Sequence, residues 1–159
     1  MRQFCGYGLV HPSQAREFAV AVCDVLGHSN PAVAVRLLLE TAAQETHLGQ
    51  FRDPSPDGAG RGLCQVDKIA FVDVMQRTPE KDFALIKTAF GIDMRQVDHD
   101  DLDFSPLLSL IVCRLFYKRI PESIPVDLDA RGAYWKKYYN TYLGKGSIDE
   151  YVDNARRFL

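Results

Sequence analysis

Apolar residues recur along this chain at helical rather than alternating spacing. Ala15, Phe18, Ala19, Val22, Val25 and Leu26 follow the i, i+3, i+4, i+7 rule and predict a first helix, ended by Gly27. Asn30-Pro31 supplies an N-cap followed by the residue best suited to the first helical position. The stretch 32–47 behind it carries Val33, Val35, Leu37, Leu38, Leu39, Ala42 and Ala43. Apolar on nearly every side, this second helix is expected to run through the middle of the domain, with Gly49 placed to stop it. Between Arg52 and Gly62 the periodicity dissolves among prolines, glycines and polar turn formers, which predicts a loop. Asp67 then caps a helix through Ile69, Ala70, Val72, Val74 and Met75. Thr78-Pro79 opens another through Phe83, Leu85, Ile86 and Phe90, closed by Gly91, and an acidic stretch, 98–103, follows. Ser105-Pro106 starts a helix that runs to about Arg119 before Pro121. The last two helices are expected over residues 127–142 and 147–158, the second opened by the capping box of Ser147 and Glu150. No alternating segment is long enough for a convincing strand, although the loop before Gly62 leaves room for a small hairpin. The pattern predicts a mostly α single domain over residues 1–159, of about seven helices, with a Gly-rich loop or small hairpin after the second.

Composition narrows the class. A chain of 159 residues, 47% hydrophobic and 25% charged, is an ordinary globular sequence, long enough to bury its apolar residues in one core. The longest apolar run, around 107–112, ends at Arg114, far short of the ~20 residues that span a bilayer, so no membrane insertion is expected. Met1–Gly8 holds one Arg with no hydrophobic stretch behind it, so no secretory signal peptide is expected either. The net charge of −2 is made of interleaved acidic and basic residues, which argues against nucleic acid as a partner and gives no long-range attraction to an anionic wall. Cys5, Cys23, Cys64 and Cys113 lie far apart, with no C-x-x-C pair and no clustered His. Small buried thiols are the favoured reading over a disulfide, and neither metal nor other cofactor is expected.

Glu45 asks for a chemical explanation. It falls in the last turn of the most apolar helix, where desolvation and the negative end of the helix dipole both disfavour the carboxylate. Both raise its pKa, as a general acid working near neutral pH requires; the bland alternative is a Glu facing solvent at a helix end. The segment Gly58-Ala59-Gly60-Arg61-Gly62-Leu63-Cys64-Gln65-Val66 then offers backbone that a ligand can approach closely, and an amide at Gln65 suited to sugar hydroxyl and acetamido groups. The same glycines also serve as ordinary turn residues.

Gln44-Glu45-Thr46, followed by Gly58-Ala59 and Gly62-Leu63-Cys64-Gln65-Val66, resembles the lysozyme-like superfamily, in particular the lytic transglycosylases. Their pattern is a helix ending in Glu-Ser, then Gly-Ala, then Gly-Leu-Met-Gln. The later stretch Tyr134-Trp135-Lys136-Lys137-Tyr138-Tyr139-Asn140-Thr141 with Gly144-Lys145-Gly146 resembles that family's Tyr-Asn-x-Gly segment. It is closer still to small phage-encoded muralytic and virion proteins. The resemblance covers roughly residues 30–75 and 127–158. It departs from the pattern at Thr46, where Ser is usual, at Cys64, where Met is usual, and in the extra Gly60-Arg61.

What the resemblance implies is a lysozyme-like fold that cleaves the MurNAc–GlcNAc β-1,4 bond of peptidoglycan, with Glu45 as catalytic acid and then base. Thr46, Gln65, Tyr139 and Asn140 become the implied substrate-binding residues, Gln65 beside the scissile bond and the Tyr139-Asn140 pair approaching Glu45 from the far side. One carboxylate suffices for a transglycosylase, because the substrate's own C6 hydroxyl closes onto C1. A hydrolytic lysozyme needs a second carboxylate about 5–5.5 Å away if retaining, or ~6.5–9.5 Å if inverting. Asp53, Asp57 and Asp67 are the candidates, each also a natural turn former. The third reading is a non-catalytic structural component of a phage particle. The expected partners are peptidoglycan strands and other tail or ejection proteins of a virion, and the expected location is the virion or the host cytoplasm. Among the remaining polar residues, Glu40 and Gln44 read as solvated. His47 reads as dipole compensation and Lys136 with Lys137 as a wet face, while Trp135, Tyr138, Tyr139 and Tyr142 are more readily core than a sugar platform.

Overall fold

A computed structural model describes residues 5–52, 59–140 and 144–159. Among these the chain forms seven α-helices and one minimal hairpin. In chain order the elements are α1 (Ser13–Leu26), α2 (Pro31–Thr46), β1 (Gly60–Arg61), β2 (Val66–Asp67), α3 (Lys68–Arg77), α4 (Glu80–Phe90), α5 (Pro106–Lys118), α6 (Leu128–Trp135) and α7 (Ile148–Phe158). The protein is a mostly helical single domain. Helix starts fall where local chemistry predicts them. Asn30 accepts from the Val33 N–H, Ser105 from that of Leu108, Asp67 from that of Ala70 and Ser147 from that of Glu150, with proline at the first position of α2 and α5.

Two helices form the interior. Along α5 every residue from Leu108 to Tyr117 is buried, and α2 buries Val33, Val35, Leu37, Leu38, Leu39, Ala42 and Ala43 while packing on α1, α5 and α7. The central place expected of α2 is thus shared with α5. Strands β1 and β2 pair antiparallel, Gly60 opposite Asp67 and Arg61 opposite Val66. The acidic stretch holds this hairpin in place. It folds as a short 3-10 helix, His99–Asp103, whose Asp100 and Asp103 face Arg61 at 3.2 and 3.7 Å, while Asp103 accepts the Gly62 N–H at 2.8 Å.

Four expectations are corrected. Helix α2 ends at Thr46, before Gly49, because His47 already turns left-handed. Helix α6 stops at Trp135 and continues as a π-helical turn, Lys136–Asn140, rather than as one α-helix to Tyr142, which lies outside the described residues together with Thr141. Glu40 is buried rather than solvated, paired with Arg131 at 2.5 Å and hydrogen-bonded by the Tyr151 hydroxyl at 3.1 Å. Lys136 is no wet-face residue either. Its ammonium donates to the Asn140 side chain and to the carbonyls of Gly144 and Gly146 at 2.7, 2.8 and 2.6 Å, using all three of its protons. Lys137, by contrast, is exposed. All four thiols are free, and those of Cys23, Cys64 and Cys113 are buried.

Candidate active site around Glu45

The end of α2 is built so that Glu45 sits against the core while the chain turns away. His47, Leu48 and Gly49 follow in the left-handed region, with φ of +49°, +56° and +83°. That conformation is unfavourable for a residue with a Cβ by roughly 1–2 kcal/mol. Two features offset it at Leu48: the side chain is buried in the core, and its N–H reaches back to the Ala42 carbonyl at 3.1 Å. At Gly49 a side chain has no room, since a Cβ there would lie 2.9 Å from the Leu9 side chain and 3.3 Å from the Gly6 carbonyl. The His47 ring stacks on Phe158 at 4.7 Å, and burial together with the Arg157 charge lowers its pKa. A ring driven toward its neutral form does little dipole compensation; packing is its role.

Glu45 is partly buried, and its carboxylate oxygen accepts the indole N–H of Trp135 at 3.2 Å. Burial pushes its pKa from 4.5 up to about 7, and the Trp135 hydrogen bond, which favours the charged form, offsets only part of that rise. No Lys, Arg or His among the described residues forms an ion pair with Glu45. Trp135 is itself wholly buried, its ring against Tyr151 at 5.2 Å. It is core, as its aromatic company suggests, and its polar edge is turned to the carboxyl.

The glycine loop is fastened to the same place by hydrogen bonds. Thr46 is 1% exposed, and its hydroxyl lies 2.7 Å from the Leu63 carbonyl and 3.1 Å from that of Ala42, while accepting from the Gly49 N–H at 3.1 Å. Thr46 therefore clamps the helix end to the loop from inside the protein. The Leu63 N–H donates to Ser109 of α5 at 3.1 Å, and Gly62 passes so close that a Cβ there would sit 2.2 Å from the Ser109 oxygen. Tyr139 donates its hydroxyl to the Cys64 carbonyl and stacks on Tyr117 at 5.3 Å. Gln65, at φ +50°, folds its amide back, donating to the Gly62 carbonyl at 2.9 Å and to the Tyr7 hydroxyl at 3.3 Å.

The structure thus joins Glu45 to Trp135, and the loop of residues 62–65 to both the end of α2 and Tyr139. Asn140 is spent differently, its side-chain oxygen held by Lys136. A Cβ on Gly146 would lie 2.5 Å from Trp135, 3.2 Å from Gln44 and 3.3 Å from the Asn140 amide, so the backbone at Gly146 closes over the indole. Gln44 is half-buried and accepts from Asn154 at 2.8 Å rather than standing in solvent. Asp67 caps α3, and Asp53 and Asp57 lie outside the described residues, as does Gly58. Sequence reading missed the Trp135 bond to Glu45 and the place of Tyr7. The sole tryptophan beside a run of tyrosines was a signal for the first, and nothing local marks the second.

No known protein-family model, curated protein or solved structure matches this chain. Among the described residues no cluster of three or more His, Cys, Asp or Glu is placed to hold a metal ion, and no helix is long and apolar enough to cross a membrane.

Proposed function

We propose that the protein is a peptidoglycan-cleaving glycosidase acting on the MurNAc–GlcNAc β-1,4 bond, a lytic transglycosylase whose acid and base are the same group, Glu45. The observation that carries this reading is a partly buried carboxyl with a pKa near 7, held by a neutral indole N–H and followed in the chain by Thr46, whose hydroxyl is bonded to the glycine loop at Leu63. Such a group is protonated in an appreciable fraction of molecules at neutral pH and is basic enough, once ionised, to take a proton back. In the proposed cycle Glu45 gives its proton to the glycosidic oxygen as the bond to C1 breaks. The substrate's C6 hydroxyl then attacks C1 and returns its proton to Glu45, leaving a 1,6-anhydro sugar and an enzyme ready to act again. Neither water nor a second carboxylate enters the cycle. Thr46, Tyr139 and Asn140 act as positioning residues in this scheme, because their side-chain oxygens are engaged within the protein. Gln65, whose NH2 is held by Gly62 and Tyr7, offers the sugar its amide oxygen.

The resemblance of the 134–146 stretch to phage virion proteins extends the proposal to location. A net charge of −2 gives a diffusing lysin no attraction to an anionic wall, whereas an enzyme carried in a tail or ejection apparatus is delivered mechanically. Mass spectrometry of soluble products from purified peptidoglycan, with wild type and Glu45→Gln, tests the chemistry. Anhydro-muropeptides that disappear in the variant are expected. Reducing-end products would replace transglycosylation by hydrolysis and bring Asp53 and Asp57 forward. No products from either protein would leave a structural module.

A further inference from the structure

Arg114 of α5 is 3% exposed, yet no carboxylate among the described residues pairs with it. Its Nη2 donates to the Gly27 carbonyl at 3.0 Å, and its buried Nε has no hydrogen-bond partner among the described residues. The carboxylate that contributes to its surroundings, Asp82, is taken by Lys118 at 2.8 Å. Burial works against this charge and lowers its pKa, with Cys23 and Cys113 nearby as uncharged thiols. A guanidinium withdrawn from water without a counter-charge is among the least favourable groups in a folded protein, and a buried donor left without an acceptor calls for a reason.

Arg114 also borders open space. It lines a cavity of about 300 Å³ between the turn that follows α1 and the segment joining α5 to α6. His28 adds an imidazole to that cavity and Glu122 one carboxylate, while Lys118, also in the lining, is paired with Asp82. The rest of the lining is mainly apolar, with Tyr117, Ile120, Pro121, Ile124 and Tyr134. Glu122 points its backbone carbonyl at the Tyr134 hydroxyl, 3.1 Å away, which fixes the segment as a wall. We propose that this cavity binds an organic carboxylate with a small aliphatic body, its carboxylate on Arg114 and its body against Ile120 and Ile124. The planar guanidinium fork matches a carboxylate, and the apolar walls favour a carbon skeleton over a bare inorganic anion. The free acid and the C-terminus of a short peptide share this chemistry. The site is independent of the reaction proposed for Glu45.

The probe is 3-methylbutanoate, titrated into 15N-labelled protein while the Arg114 Nε–H resonance is followed. A saturable shift is expected, with the neutral 3-methylbutanamide binding at least tenfold more weakly. Arg114→Lys should weaken the acid at least tenfold, because a point charge cannot supply the fork. Glycyl-leucine against its amide separates the two sources: a dipeptide that binds more tightly than 3-methylbutanoate identifies a peptide C-terminus, and a weaker one identifies a free acid. Equal binding of acid and amide, inorganic phosphate binding as tightly as the acid, or no saturable shift would each overturn the proposal. So would undiminished binding to folded Arg114→Lys. If that variant does not fold, the acid–amide comparison in the wild type decides.

Discussion

Replacing Glu45 by Gln should make the protein more stable, and only above about pH 4.5, where the carboxyl of the unfolded chain ionises. Below pH 4.5 the group is protonated in both folded and unfolded chains, so it imposes no penalty there. Between 4.5 and about 7 the unfolded chain releases the proton while the folded one keeps it, and wild-type stability falls as pH rises. Above about 7 both forms are ionised and the penalty is constant. The rise from 4.5 to about 7 corresponds to about 3 kcal/mol of disfavoured burial. Gln is isosteric and neutral, and its carbonyl still accepts the Trp135 N–H, so the variant escapes the penalty without losing the contact. Urea denaturation of both proteins at pH 4.5 and about pH 8 isolates the effect, because all other titrating groups cancel in the difference between them. Glu45→Gln should be close to wild type at the lower pH and more stable by about 3 kcal/mol at the higher, a gain on the order of 5–10 °C in Tm for a chain of this size. A stability difference that does not change between the two pH values would refute the argument, since it would show that Glu45 ionises as freely in the folded state as in the unfolded one.

Two further outcomes follow from the same contacts. Trp135→Phe removes the donor that favours the Glu45 carboxylate, so the pKa governing the pH profile of kcat/KM should move upward by about one unit; an unchanged profile would separate the indole from the acid. Glu40→Gln should destabilise the fold by about 3–5 kcal/mol in urea denaturation, because it leaves the buried Arg131 guanidinium without its counter-charge.

Legibility in the sequence followed the range of the interactions involved. Starts of α2, α3, α5 and α7 were readable because a cap and the N–H that donates to it are three residues apart and a proline at the first position acts alone. The placement of Glu45 in the last turn of a buried helix was readable for a similar reason, from one segment's periodicity. The π-helical turn after Trp135 was not, because Lys136 gathers carbonyls from Gly144 and Gly146 that no local rule pairs with it. The fold of Gln65 back onto Tyr7, 58 residues away, was equally hidden.

The two glutamates of α2 state the point most sharply. Glu40 and Glu45 both lie toward the core, in one helix, and a local reading set the first aside as solvated. Their difference comes from α6 and α7. Arg131 and Tyr151 reach Glu40, so its negative charge is matched and its oxygens are committed to an ion pair. One helical turn beyond Arg131, Trp135 reaches Glu45 with a neutral N–H that cannot match a full charge. The same helix, α6, therefore fixes one carboxylate as structure and leaves the other able to hold a proton near neutrality. Exchanging those two partners, rather than moving either glutamate, is what would exchange their roles.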